Sequence, residues 1–343
     1  MTSFVKIIYL VVLTAIVILA FEKKQYNGYS ERSEIFQCYN ESINSVFYSK
    51  RILKNFSMKT KSFGQRRVFG GTNVKKIESY PFMAFLVIHK NIKNNNYHMS
   101  TRDAHCGATI LSPLHVLTAA HCAVTCVTWE CNNDLCSKCE TKSPNRFEVL
   151  VGDVIPKFAK FISRVKKVMI HPKFQFSDRN ERCIYNNDLA ILQLIKPLPL
   201  SSKIQKAVLP HKVWHRFHNC KILGWGSTSN PDYSPPCGRI LQMAPMNQID
   251  TTTCLKYLKI SNSDATPYRN FGLCNNNSIC LYDKKRVKGI CYGDSGSPLI
   301  CNGELAGVVS WSPDRGKCLI PYSPNVFSRV DLSMRWIKKV LKK

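Results

Sequence analysis

From about residue 80 onward, short apolar runs alternate with turn signals. Examples are Phe82–His89, Ala108–Leu111 before Ser112-Pro113, Phe147–Val151 before Gly152-Asp153, and Leu189–Ile195 before Lys196-Pro197. Further along come Cys220–Leu223 before Gly224, Pro298–Ile300 before Asn302-Gly303, and Leu305–Trp311. Short strands at this spacing, with neither a βαβ rhythm nor an internal repeat, predict an all-β sandwich or barrel. The C-terminus follows another period. Leu332, Trp336, Ile337, Val340 and Leu341 fall on one face and Lys338, Lys339, Lys342 and Lys343 on the other, which predicts an amphipathic closing helix with cations at its C-terminal end.

The first 67 residues read differently. Lys6 precedes an apolar run from Ile7 to Ala20, and charge returns with Glu22, Lys23 and Lys24. A basic start, a short apolar core and a small closing residue predict a signal peptide over 1–20. The alternative is a retained anchor, but the run is shorter than the ~20 residues that span a bilayer. Residues 21–67 are polar, lack sustained periodicity and end in Gln65-Arg66-Arg67, so they read as a propeptide. The remainder, 68–343, is then the functional domain.

Composition agrees with export. The chain of 343 residues has 44% hydrophobic residues, enough to fold, and 16 cysteines, more than a cytosolic enzyme usually carries. The expected location is therefore extracellular. The net charge of +27 comes from basic residues scattered along the whole chain. No zinc-finger, RNA-binding or zipper motif accompanies them, so nucleic acid is not an expected partner. Such charge can attract acidic glycans, anionic membranes or acidic substrates, but the scatter favours the plain reading of a solvated basic surface.

The most specific motif is Cys291-Tyr292-Gly293-Asp294-Ser295-Gly296-Ser297-Pro298. A serine flanked by glycines can approach a substrate closely, but it needs a general base and the base needs an orienting partner. Among nine histidines, His121 stands out in Ala119-Ala120-His121-Cys122, where small residues surround it. Asp188, in Asn186-Asn187-Asp188-Leu189-Ala190, places a carboxylate at the mouth of an apolar strand.

With these motifs, Gly224-Trp225-Gly226 and Ser310-Trp311, residues 68–340 resemble the trypsin/chymotrypsin family of secreted serine proteases. The resemblance implies two antiparallel six-stranded β-barrels with a C-terminal α-helix, peptide-bond hydrolysis through an acyl-enzyme, and no cofactor or metal. It implies Ser295 as nucleophile, His121 as base, Asp188 as its orienting acid, and the N–H groups of Gly293 and Ser295 as the oxyanion hole. Ser310 to Ser312 would pair with the substrate backbone. Cleavage after Arg67 would free Val68 to pair with Asp294, although Phe69 is bulkier than the usual second residue. Gly289 would lie at the floor of the specificity pocket, with Ser312 and Asn325 where glycines are common. A neutral pocket of that kind suggests chymotrypsin- or elastase-like cleavage. Ser297 replaces a customary glycine.

The family pattern also implies disulfides Cys106–Cys122, Cys220–Cys301, Cys254–Cys280 and Cys291–Cys318. The pairing of Cys38, Cys126, Cys131, Cys136, Cys139, Cys183, Cys237 and Cys274 stays open, with Cys38–Cys183 a conceivable tether for the propeptide. Four of these cysteines fall in an insertion after His121, where a stapled loop competes with a zinc site at Cys136-x-x-Cys139. Asn40, Asn55 and Asn276 are candidate glycosylation sites. Expected partners are protein or peptide substrates, an activating protease and protease inhibitors, for a monomeric enzyme. The competing function is a catalytically silent homologue acting as a binding protein.

Overall fold

The computed structural model describes residues 70–89, 104–131, 134–176, 185–227, 239–261, 273, 277–285, 287–313, 318 and 323–342; for 128–137 the description covers the backbone alone. The expected signal peptide, propeptide and new N-terminus, Cys38, Cys183, Cys237, Cys274 and the three glycosylation candidates lie outside these residues.

A two-residue strand, β1 (Thr72–Asn73), opens the described chain, followed by β2 (Met83–Ile88), β3 (Ala104–Ser112) and β4 (His115–Thr118). One helical turn, α1 (Ala120–Ala123), leads into a hairpin of β5 (Val124–Cys131) and β6 (Asp134–Thr141). Then come β7 (Phe147–Val151), β8 (Phe161–Ile170), the short pair β9 (Gln175–Phe176) and β10 (Tyr185–Asn186), and β11 (Ala190–Leu194). Strands β2, β3, β4, β7, β8 and β11 close into a barrel. All six residues of β2 are buried, since the strand packs on both faces: against the barrel interior and against the second half of the molecule.

The second half holds β12 (Cys220–Gly224), β13 (Gln242–Gln248), helix α2 (Thr251–Ser261), β14 (Ser278–Tyr282), β15 (Pro298–Cys301), β16 (Glu304–Trp311) and β17 (Asn325–Arg329). The order β13-β12-β15-β16-β17-β14, with β14 pairing back onto β13, closes a second ring, and β1 adds to the outside of β13. The all-antiparallel, two-barrel, six-stranded architecture expected from sequence is the one observed. Closure removes the sheet edges that would otherwise invite association. The second barrel's interior is filled by Ile222, Ala244, Ile279, Leu281, Leu299 and Phe327.

Helix α3 (Met334–Leu341) ends the described chain, burying Ile337 and Val340 against the first barrel's core. Leu332 does not join its apolar face. It sits in a 3-10 turn (Asp331–Ser333) and is exposed, because the true helix starts two residues later and Met334 takes the inward position. Among the described residues no helix is long and apolar enough to cross a membrane.

Five disulfides join described residues: Cys106–Cys122, Cys126–Cys139, Cys220–Cys301, Cys254–Cys280 and Cys291–Cys318. The insertion after His121 is thus a β-hairpin stapled across its base by Cys126–Cys139, residues opposite each other in its register.

The seam between barrels is held by directed bonds. Gly107 N–H donates to Ser295 O at 2.7 Å, Leu241 N–H to Val154 O at 2.7 Å, and Leu305 N–H to Val208 O at 2.8 Å. Ser297 lies in this seam, fully buried, its hydroxyl pressed against Gly107 with no hydrogen-bond partner among the described residues. A buried, unpaired hydroxyl costs free energy that a methyl group does not. Ser297→Ala should therefore stabilise the protein by about 1 kcal/mol, read as a higher midpoint in urea unfolding; a lower midpoint would show that the hydroxyl is satisfied.

Candidate active site

The register of the first barrel brings two distant residues together. Ala190 of β11 pairs with Thr118 of β4, so Asp188, two residues before it, falls beside α1 just past Thr118. Asn187 turns the chain there with a left-handed backbone (φ 49°), a conformation asparagine tolerates better than most residues. Small, fully buried Ala119 and Ala120 let α1 sit tightly on the barrel, and Cys122 ties it to β3 through Cys106. The result is that His121 Nδ1 stands 2.7 Å from Asp188 Oδ2, and His121 N–H donates to Asp188 Oδ1 at 2.8 Å.

Asp188 is wholly buried. A charge out of water needs several partners. The third comes from the other barrel, where Ser310 Oγ donates to Asp188 Oδ2 at 2.6 Å. A fourth tie runs from Asp188 N–H to Ser328 Oγ at 3.1 Å. Sequence reasoning gave Ser310 only a backbone role and missed Ser328 altogether. The Ser310-Trp311 motif marks the strand, but nothing local announces where the hydroxyl points. On its outer face the imidazole stacks on Tyr185 (5.1 Å between centroids, 19° between planes), which in turn stacks on Phe176. This aromatic wall limits how far the ring can swing.

Ser295 enters from the second barrel, in the turn before β15. The turn is drawn together by Asp294, whose Oδ2 accepts from Cys291 N–H at 2.9 Å and whose Oδ1 accepts from Gly226 N–H at 2.7 Å. Gly226 must lack a side chain, since a Cβ there would meet the Asp294 carboxylate at 2.4 Å. Gly293 is constrained twice: its φ is +92°, and a Cβ would strike the His105 ring at 2.1 Å. Among the described residues neither the Gly293 nor the Ser295 N–H donates to another backbone group.

His121, Ser295 and Ser310 to Ser312 line one cleft, together with Tyr185 and Ile290 to Tyr292. The Ser295 hydroxyl and the imidazole share this cleft without a closed hydrogen bond, an arrangement common before substrate arrives. Gly289 and Asn325 are buried and lie outside the lining. Asn325 Oδ1 accepts from Ile290 N–H at 2.7 Å, so its carboxamide braces the wall from behind.

Burial pushes the Asp294 carboxyl up to about 7, against the opposing pull of its two backbone donors and of Arg239. Arg239 is itself buried, and its Nη1 donates to Trp225 O at 3.3 Å. The guanidinium and the Asp294 carboxylate thus grip opposite ends of the Trp225–Gly226 peptide unit.

The ligand-type atoms of Cys106, His121 and Cys122 lie close together, but both sulfurs are in a disulfide and offer no thiolate. Cys139 is likewise bonded to Cys126, which removes it from the zinc alternative; the side chains of Cys131 and Cys136 lie outside the description.

A histidine held by a buried acid, sharing a cleft with a serine between two barrels, is the arrangement of a serine endopeptidase. The family model described as Trypsin matches residues 68–337. The chain is 30% identical to mouse kallikrein-11, over 69% of this chain and 73% of that protein. It is 28% identical to human kallikrein-7 over 71% of this chain and 81% of the relative. A snake venom serine protease of Bothrops insularis is 26% identical over 85% of this chain and 95% of its own length. The chain belongs to the trypsin family.

The Ser310 hydroxyl gives a test of the cross-barrel bond. A hydrogen bond to a charged group contributes roughly 1.5–3 kcal/mol, so Ser310→Ala should lower kcat/KM on a peptide ester about 10- to 100-fold while the fold, read by circular dichroism, is kept. Asp188→Asn should lower kcat by about 10⁴-fold. Equal activity of Ser310→Ala and the unaltered enzyme would show that the bond plays no part.

Proposed function

We propose that the chain is a secreted endopeptidase made as a zymogen, with residues 1–20 as signal peptide and 21–67 as propeptide, activated by cleavage after Arg67. The observation that carries the catalytic reading is the His121–Asp188 contact at 2.7 Å, opening onto the cleft that holds Ser295. In this reading Asp188 accepts the Nδ1 proton, so Nε2, which lies 3.8 Å from the Cys122 sulfur, keeps the lone pair that takes the Ser295 proton. The serine attacks the scissile carbonyl, the Gly293 and Ser295 N–H groups bind the oxyanion, and the imidazolium then protonates the leaving amine. Water, deprotonated in turn by His121, releases the acyl group. A silent homologue would have no need of a buried acid that takes two of its three donors from one histidine and the third from Ser310. Fluorophosphonate should label the cleaved protein and fail to label Ser295→Ala; an unlabelled cleaved protein would favour the silent homologue.

Specificity follows from the pocket wall. Ile290 reaches the cleft and Asn325 is locked behind it, while Gly289 supplies no charge. This supports a neutral, shallow site for medium apolar or aromatic side chains, as chymotrypsin- or elastase-like enzymes have. A peptide library should return such residues before the cut, and strict cutting after Lys or Arg would refute it.

Activation follows from Asp294. Its folded value of about 7 exceeds the ordinary 3.8 because burial disfavours the anion. Between those values the uncut folded chain holds more protons than the unfolded chain, so its stability falls as pH rises and levels off above about 7. A Val68 amine beside the carboxylate would offset this. The melting temperatures of the cut protein and of uncut Arg67→Gln should be close at pH 5 and separate by several degrees toward pH 8. A gap independent of pH would exclude the Val68–Asp294 pair.

A further inference from the structure

Arg239 is a buried cation that the catalytic reading does not use. It lies in the stretch just before β13 with 5% of its surface exposed. A guanidinium taken out of water is costly unless polar partners and a nearby anion offset the loss. Its Nη1 nitrogen carries two protons. One goes to Trp225 O at 3.3 Å and the other faces His105 Nε2 at 3.5 Å. Because a guanidinium can only donate, Nε2 accepts, and the His105 ring proton sits on Nδ1.

Both contacts lead to the turn that carries Ser295. The Trp225 carbonyl belongs to the same peptide unit as the Gly226 N–H, which donates to Asp294 Oδ1 at 2.7 Å. A cation at the oxygen end polarises that peptide and makes its N–H a better donor, so Arg239 reaches Asp294 through the bond as well as through space. The second path is steric. The His105 ring stands directly behind Gly293, where a Cβ would meet Nε2 at 2.1 Å. His105 is kept in place by stacking on Phe85 (5.4 Å between centroids, 12° between planes), and Phe85 meets the Trp225 ring edge to face at 5.6 Å. Arg239, His105, Phe85 and Trp225 thus close a ring of contacts behind the turn. Phe85 and His105 belong to β2 and β3 of the first barrel, and the other two flank strands of the second, so the ring spans the seam. None of the four lines the catalytic cleft.

We propose that Arg239 is a positioning residue for the oxyanion donors: it sets Gly293 from behind through His105, and the Ser295 turn through the Trp225–Gly226 peptide and Asp294. The inference rests on the oxyanion role given above to the Gly293 and Ser295 N–H groups. Donors that stabilise a developing oxyanion work only when held in place before the charge appears, and a displacement of about 1 Å can cost ~10²-fold in rate. Lysine would not serve equally. Its ammonium keeps a charge near Asp294 but lacks the planar fork that makes two directed contacts from one end. A residue that merely tied the seam would, when removed, disturb substrate binding and every reaction of the cleft alike. A residue that positions the oxyanion donors affects one thing selectively, the negative charge on the former carbonyl oxygen.

The test uses the full chain cleaved after Arg67, a peptide ester, and its thionoester, in which sulfur replaces the carbonyl oxygen and draws far less on N–H donors. Arg239→Met should lower kcat/KM on the oxygen ester about 10- to 100-fold, and weaken a matching peptide aldehyde, whose adduct with Ser295 carries the oxyanion, by a similar factor. Hydrolysis of the thionoester, and affinity for the peptide alcohol that has no carbonyl, should change by less than about threefold. Arg239→Lys should show the same selectivity with a smaller loss, about 3- to 10-fold. It carries the test if Arg239→Met lacks the circular dichroism of the folded parent. Equal losses on the two esters, or weaker binding of the alcohol in step with the aldehyde, would overturn the proposal in favour of a tie across the seam. So would variants as active as the parent. A parent that neither hydrolyses the ester nor takes up fluorophosphonate would instead refute the protease reading, and this inference with it.

Discussion

The structure is organised around a carboxylate that has been taken out of water. Asp188 has no exposed surface, and each of its oxygens is met by a donor: the backbone and ring of His121 from one barrel and the Ser310 hydroxyl from the other. Removing any one donor leaves a buried charge short of solvation, a far larger penalty than the bond itself is worth in water. The two barrels are therefore fixed relative to each other at the point where the chemistry takes place. The imidazole is restrained on two sides, because Asp188 holds one edge and Tyr185 covers one face.

A second buried acid, Asp294, does the same for the serine turn, with a difference. Its partners are two backbone N–H groups and, through the Trp225–Gly226 peptide, the field of Arg239. That set is not enough to hold the anion comfortably, and the carboxyl remains high. Asp188 is thus complete within the fold, while Asp294 is left wanting a cation. The contrast is one of partners: Asp188 draws side-chain donors from both barrels, while Asp294 relies on backbone donors and a cation one peptide away.

Function is distributed unevenly over the surface. The cleft is neutral at its apolar wall and walled by aromatic rings on the His121 side, and a stapled hairpin rises directly from α1.

How much was legible beforehand differs residue by residue. The strand runs and the closing helix could be read because alternation is a local pattern, and His121, Asp188 and Ser295 stood out as candidates through equally local marks, glycine flanks and small residues around a histidine, while the roles suggested for them came by resemblance. The four disulfides shared with the family could be read only by resemblance, and Cys126–Cys139 by neither route, since four cysteines in one insertion allow several pairings until a hairpin register sets two of them opposite. Ser310 and Ser328 were silent for a related reason. A serine in a strand has no sequence mark that says which distant carboxylate or N–H its hydroxyl will meet, and closing the barrels decided that. Arg239 looks like an ordinary polar residue until packing buries it near Asp294, and Asn325, expected on the pocket wall, is packed behind Ile290 instead. The sequence by itself determined which chemistry the chain can attempt and the periods of its elements. Only the tertiary structure decided which polar groups would be stranded away from water together, because burial and the partners it demands are properties of the closed seam and not of any segment.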